Sequence, residues 1–255
     1  MHLLQAHIMK ILCVIPSRMA STRLARKPVA LIQGKPMIQR VYEGAIACPD
    51  IHRVVVATDN DEIANIISKM GGHVEMTDPE IKTGSDRAAV VAERYPDMDV
   101  IINLQGDQPF IKPDMLSELI NPYLIGERPE MTTVACPLDF SVDYTDPNAV
   151  KVLLDKHHNA IYFSRSPIPH FRNNDFSRAK QTPVYYHIGL YAYRRDFLKI
   201  YTDLPQTPCE VAESLEQLRV IENGYKIRVC LTKHKILEIN TPEELLRAQT
   251  EPLSV

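Results

Sequence analysis

Between Ser17 and Tyr42 the sequence carries Arg18, Arg23, Arg26, Lys27, Lys35 and Arg40, and not one acid. Guanidinium forks match phosphate oxygens in pairs and an ammonium adds a point charge, so this loop is suited to holding phosphates. A solvated basic loop is the plainer alternative. Neither GxxxxGKS/T nor GxGxxG occurs in a chain with nine glycines, so a phosphate site here must be made from side chains. Asp107 stands in Asn103-Leu104-Gln105-Gly106-Asp107-Gln108-Pro109. A carboxylate opposite a basic loop suggests a Mg²⁺ bridging protein and substrate phosphates, although turn aspartates without a ligand are common. A rival pair, Asp59 and Asp61, also follows an apolar run, but Asp61 is more simply the cap of the next helix. Arg87, Arg165, Arg172 and His187 are candidate cations for an acidic second ligand. A lone histidine in Tyr186-His187-Ile188-Gly189 is more often a hydrogen-bonded core residue. No Ser/His/Asp order, paired catalytic carboxylates or HExxH motif is present, so hydrolase chemistry has no footing.

These residues need a scaffold. Apolar, strand-sized runs at 11–16, 53–58, 74–77, 100–104 and 132–135 alternate with helix-length segments at 36–47, 61–70, 85–95 and 113–124. Met37, Val41 and Ala45 recur at the spacing of one buried helical face. Strands apolar on both faces and separated by helices predict a mostly parallel sheet covered on both sides. Such sheets bind ligands at the carboxyl ends of their strands, which is where the loops after Pro16, Thr58 and Leu104 begin. The second half is less regular. Residues 150–154, 160–164 and 185–193 read as strands of a further sheet or lid, and the polar stretch 172–181 as a mobile loop. A helix is expected over 212–223, a strand over 227–231, and a last helix opening at Thr241-Pro242.

A single domain over 9–250 is expected, its nucleotide-binding half at about 9–136 and a sugar-binding and dimerisation part at about 137–225; residues 1–8 read as a dispensable extension. A net charge of -3 argues against a general nucleic-acid binder, and the apolar runs are too short to span a bilayer. Five cysteines without a CxxC pair give no disulfide or zinc framework, and the opening residues do not read as a signal peptide, so a cytoplasmic location is expected.

The motifs taken together resemble the 3-deoxy-manno-octulosonate (Kdo) cytidylyltransferase, or CMP-Kdo synthetase, family over essentially residues 11–248. They are Ile15-Pro16-Ser17-Arg18, Ser21-Thr22-Arg23-Leu24, Lys27-Pro28, Gly84-Ser85-Asp86-Arg87, Leu104-Gln105-Gly106-Asp107, Tyr162-Phe163-Ser164-Arg165, His187-Ile188-Gly189-Leu190-Tyr191 and Leu215-Glu216-Gln217-Leu218-Arg219. The resemblance implies an α/β nucleotide-diphospho-sugar transferase fold. This is a Rossmann-like three-layer arrangement with a mostly parallel central sheet and a lid or dimerisation insertion in the second half. It also implies a homodimer that uses CTP, Mg²⁺ and an acidic 2-keto-3-deoxy sugar, transferring CMP to the anomeric hydroxyl of Kdo for lipopolysaccharide synthesis. Arg18, Arg23, Lys27 and Ser85 would bind the nucleotide. Arg87, Gln105, Arg165, His187, Glu216 and Gln217 would line the sugar side, and Arg23, Lys27 and Asp107 would be catalytic.

Three departures from the family pattern stand out. Ala25-Arg26 replaces Pro-Gly before the lysine, Gln108 replaces the glutamate of Gly-Asp-Glu-Pro, and Asn240 replaces the second metal aspartate of a Gly-Val-Asp-Thr-Pro-Glu-like run. Metal would then rest on Asp107 and Asn240, and Glu238, two positions earlier, could restore the lost charge. The related readings are a cytidylyltransferase for the 8-amino analogue of Kdo, a glycosyltransferase resting on Asp59 and Asp61, and a non-catalytic ligand-binding relative.

Overall fold

Strand β1 (Ile11–Ser17) is almost wholly buried, with Ile11, Cys13 and Ile15 packed into one apolar cluster and Leu12 and Val14 into another. A strand that feeds two cores must lie in the middle layer of three. This is the computed structural model of the chain, and it describes residues 9–19, 24–174, 176, 177 and 179–250.

After the β2–β3 ribbon (Leu31–Ile32, Lys35–Pro36) come β4 (Arg53–Thr58), β5 (His73–Met76), β6 (Val100–Asn103) and β7 (Met131–Pro137). Strands β8 (Lys151–Leu154), β9 (Ala160–Ser164), β10 (Val184–Arg194) and β11 (Ile227–Leu231) follow. The central sheet runs β11-β7-β10-β6-β1-β4-β5. All neighbours along it are parallel except β10, which is antiparallel to both β6 and β7. The mostly parallel sheet expected from the sequence is present. Strands β8 and β9 do not make a further sheet: β8 pairs with the start of β10, so the insertion extends the central sheet.

Helices α1 (Met37–Ile46), α2 (Asp61–Lys69) and α4 (Pro113–Leu124) cover the face that carries Ile11. Helices α3 (Gly84–Glu93) and α5 (Arg195–Asp203) cover the other. Asp61 does not cap α2. Asn60 does, its side-chain oxygen accepting from the amides of Glu62 and Ile63, because its extended backbone aims the carbonyl at the free amides; Asp61 is the first helical residue.

The helix expected over 212–223 is two helices, α6 (Pro208–Glu213) and α7 (Leu218–Glu222). Thr207 and Glu210 form a capping box at the start of α6, and Ser214 ends it in the left-handed region at φ 53°. The break leaves 214–217 outside any helix. Its cause is a tertiary tie, since Arg219 donates to Glu210 at 2.8 Å and folds α7 back on α6. The polar stretch 172–181 holds two short 3-10 turns, and Phe176 packs edge-on to Phe140 and Tyr144. Pro242 opens α8 (Pro242–Thr250) as the sequence predicts.

Candidate active site

The carboxyl ends of β1 and β6 lie side by side, and the loop after β6 turns back against β1. Gly106 permits this: a Cβ there would meet the Pro16 carbonyl oxygen at 3.1 Å. The turn presents Asp107, whose carbonyl accepts from the Ile239 amide at 3.1 Å. That bond draws the irregular segment 232–241, between β11 and α8, across the same end of the sheet.

Lys27 sits where the two segments meet. Its ammonium donates to Asp107 Oδ2 at 2.7 Å and to Asn240 Oδ1 at 2.9 Å. Two oxygens from chain positions far apart therefore converge on one positive centre. This is the donor chemistry a hard divalent cation takes, with phosphate and water oxygens completing its shell. Glu238 stands beside them, half-buried, and Gln108 Nε2 donates to its Oε1 at 3.1 Å. Burial, and then the Asp107 charge, raise the Glu238 carboxyl above the usual carboxylate range. Among the described residues no group of three or more His, Cys, Asp or Glu is arranged to hold a metal alone.

A cavity of about 1210 Å³ opens from this point. Asp107, Glu238 and Asn240 line it, as do Arg165, His187, Glu216 and Gln217, together with Ser85 and Gln105. The break between α6 and α7 delivers Glu216 and Gln217. Glu216 is open to the cavity but surrounded by protein, and this surrounding raises its carboxyl; Ser85 Oγ donates to it at 3.4 Å. The Gln217 Nε2 is buried without a partner among the described residues. Arg165 is oriented by main-chain carbonyls, donating to Glu213 O at 2.8 Å and Pro147 O at 3.1 Å. Neither bond cancels its charge. His187 is buried against Phe163, with Nε2 3.0 Å from Thr133 Oγ1, and burial pushes its pKa down to about 3. The imidazole is neutral and offers a hydrogen bond rather than a charge.

Two sequence candidates stand elsewhere. Arg87 is fully buried, donates to Thr77 and pairs with Asp59 at 3.3 Å, and is not in the cavity wall. Its fork is used to tie α3 to the ends of β4 and β5, which also engages Asp59. Arg18 lies near Arg87 and keeps one buried guanidinium nitrogen without a partner among the described residues. Arg23 lies outside the described residues.

The sequence profile of the cytidylyltransferase family matches residues 12–227. Over 241 residues the chain is 54% identical to a 3-deoxy-manno-octulosonate cytidylyltransferase of Acaryochloris marina, covering 94% of this chain and 96% of that one. The chain belongs to the 3-deoxy-manno-octulosonate cytidylyltransferase family. The protein of that name from Synechococcus elongatus is 47% identical over 241 residues, with 94% and 97% of the two chains covered. A solved CMP:2-keto-3-deoxy-manno-octonic acid synthetase complexed with CTP shares the fold at a TM-score of 0.87 and 37% identity, over 94% of this chain and 97% of that one.

Within this cytidylyltransferase fold the cavity has walls that sequence reasoning missed. Lys112, Asp143, Tyr186, His234 and Lys235 also line it. The Lys233-His234-Lys235 run after β11 was a visible signal, but nothing local to it shows that 232–241 crosses the site.

Proposed function

We propose that the protein transfers CMP from CTP to the anomeric hydroxyl of Kdo, releasing pyrophosphate and supplying lipopolysaccharide synthesis. The observation that carries this is one cavity lined both by a cation-holding oxygen pair, Asp107 and Asn240, and by a fixed arginine, Arg165. The oxygen pair suits a metal-bound triphosphate and the arginine an acidic acceptor. In the reaction the anomeric hydroxyl gives up its proton to solvent and its oxygen bonds the α-phosphorus of CTP. The bond from that phosphorus to the oxygen bridging it to the β-phosphate breaks, and pyrophosphate leaves.

Mg²⁺ is the metal we propose, held by Asp107 and Asn240 with Glu238 adding charge. When bound it would neutralise the phosphate oxygens and so favour departure of pyrophosphate. The chain's own contributions are positional and electrostatic. Lys27, released from Asp107 and Asn240, turns its ammonium to the phosphates, and the unpartnered guanidinium nitrogen of Arg18 has the chemistry to join it. Arg165 fixes the acceptor's negative charge. The neutral His187 and the amide of Gln217 hydrogen-bond its hydroxyls, and the walls exclude competing water.

The proposed working form is a homodimer in the cytoplasm, where nucleoside triphosphates are available. Exposed apolar side chains support self-association: Ile161 on β9, which among the described residues pairs with β8 alone, and Val211 on α6. Ser164 Oγ ties the two elements by donating to Glu213 at 2.6 Å. Light scattering after gel filtration tests the dimer. Pyrophosphate release across a panel of nucleotides and 2-keto-3-deoxy acids, the 8-amino analogue of Kdo included, tests the reaction. Release that requires both CTP and Kdo supports the reading; turnover only with the amino analogue redirects it.

A further inference from the structure

Taken as the site of an anionic acceptor, the surroundings of Arg165 are short of positive charge. Asp143 and Asp146 stand within electrostatic reach of the Lys151 that bonds the Arg165 carbonyl. Glu216 also lines the cavity, and His187 is neutral by burial. Arg165 is one cation. The fully buried Lys151 is spent inside the wall, donating to the carbonyls of Asp146 and Arg165 at 2.8 and 2.6 Å. Lys235 is different. Its ammonium lies over the face of Tyr186, 4.5 Å from the ring centroid, and Asp143 Oδ1 accepts from it at 2.6 Å. Asp143 is itself buried, and the Asp139 amide fixes its other oxygen at 3.0 Å. A buried, doubly held carboxylate and an aromatic face thus set the position of a cation whose remaining N–H groups stay open, since the Lys235 side chain is 46% exposed.

We propose that Lys235 is a specificity-determining residue that binds the carboxylate of the acceptor sugar acid together with Arg165. The inference rests on the reaction proposed above. A carboxylate offers two oxygens, and a fork on one side with an ammonium on the other satisfies both. The triphosphate is assigned to Lys27 and Arg18 of the loop after β1, whereas Lys235 is held by Tyr186 and Asp143 of the second half. Asp143 and Tyr186 act through Lys235 as positioning residues.

The test uses the full chain with CTP and Kdo, and compares Lys235→Met, Lys235→Arg and the double variant Lys235→Met/Asp143→Asn, which removes the carboxylate that the single change strands. Loss of one charge-assisted hydrogen bond should raise the KM for Kdo roughly tenfold or more in both methionine variants, with the KM for CTP within about twofold of wild type. Lys235→Arg should restore most of the affinity. The wild-type preference for the free acid over its methyl ester should fall by a similar factor in Lys235→Met. Methionine variants that fold and keep both the Kdo KM and the acid preference overturn this assignment alone. A wild-type protein that neither binds nor turns over any 2-keto sugar acid overturns the proposed reaction and this inference with it.

Discussion

Lys27 Nζ lies 2.7 Å from Asp107 Oδ2 and reaches Asn240 Oδ1 at 2.9 Å, so the lysine read as a phosphate ligand rests on the two oxygens read as metal ligands. One ammonium therefore satisfies the position that a divalent cation would take. A metal held as proposed would compete with the lysine for the same oxygens until a phosphate offers the lysine another partner.

Removal of the amine should act in opposite directions on two measurements. Lys27→Met should bind Mn²⁺ more tightly than wild type in the absence of nucleotide, read by the loss of free Mn²⁺ signal in electron paramagnetic resonance. Its kcat/KM for CTP should fall by about 30- to 1000-fold, the effect of roughly 2–4 kcal/mol of lost transition-state stabilisation. Arg23→Ala should give a loss of the same order. Unchanged Mn²⁺ affinity in Lys27→Met would show that the amine and the metal do not compete.

The proposed metal ligands are tested by titrating Mg²⁺. Asp107→Ala should abolish activity, because among the described residues Asp107 is the carboxylate that shares Lys27 with Asn240 Oδ1. Asn240→Asp should keep activity and lower the Mg²⁺ concentration for half-maximal rate by restoring a charge, and Glu238→Gln should raise it. An active Asp107→Ala protein would remove the metal role assigned here.

The fold was legible where one buried face repeats. Residues 11–15, 54–57 and 100–102 are buried apolar runs in strands covered on both faces, and the sequence reads that directly. Asp107 was singled out because it follows a buried strand opposite a basic loop, although a turn aspartate without a ligand reads the same in sequence. Glu216 and Gln217 were named through resemblance alone. Pattern reading runs a helix through them, since Arg219 and Glu210 stand nine residues apart and no periodicity reveals that they bond. Lys235 was missed for the same reason: its partners Asp143 and Tyr186 come from distant segments. The structure places Arg87 outside the cavity wall, bonded to Asp59 and Thr77, and sequence could not foresee this because a guanidinium suits buried carboxylate and anion alike.

The Arg219–Glu210 pair should govern both stability and the acceptor site. Their side chains are 11% and 3% exposed, and loss of the arginine would leave a buried carboxylate without its partner. Arg219→Met should cost about 3 kcal/mol or more in urea unfolding. Adding Glu210→Gln removes the stranded charge and keeps the capping box, so the double variant should recover part of that loss. Both should raise the KM for Kdo more than that for CTP, because the break at Ser214 positions Glu216 and Gln217. A double variant as unstable as the single one would show that the stranded charge is not the cost.

His187 should make the protein acid-sensitive well above the range where carboxylates titrate. Its folded pKa is about 3, pushed down by burial, against about 6.5 in an unfolded chain. Above pH 6.5 the ring is neutral in both states and contributes no slope. Below it the unfolded chain takes up a proton that the folded one refuses, so stability falls as pH drops, by at most about 1.4 kcal/mol per pH unit until the folded ring also protonates near pH 3. Glu216 and Glu238, with raised carboxyl pKa values, act in the opposite sense, since their protonation favours the folded state as pH falls through those values. The difference between wild type and His187→Gln isolates the histidine from them. Urea midpoints at pH 7, 6 and 5 should show the wild type losing about 1–2 kcal/mol more than the variant over that interval. Parallel losses in the two proteins would mean that the ring is protonated in the folded state, and so able to bring a charge to the acceptor.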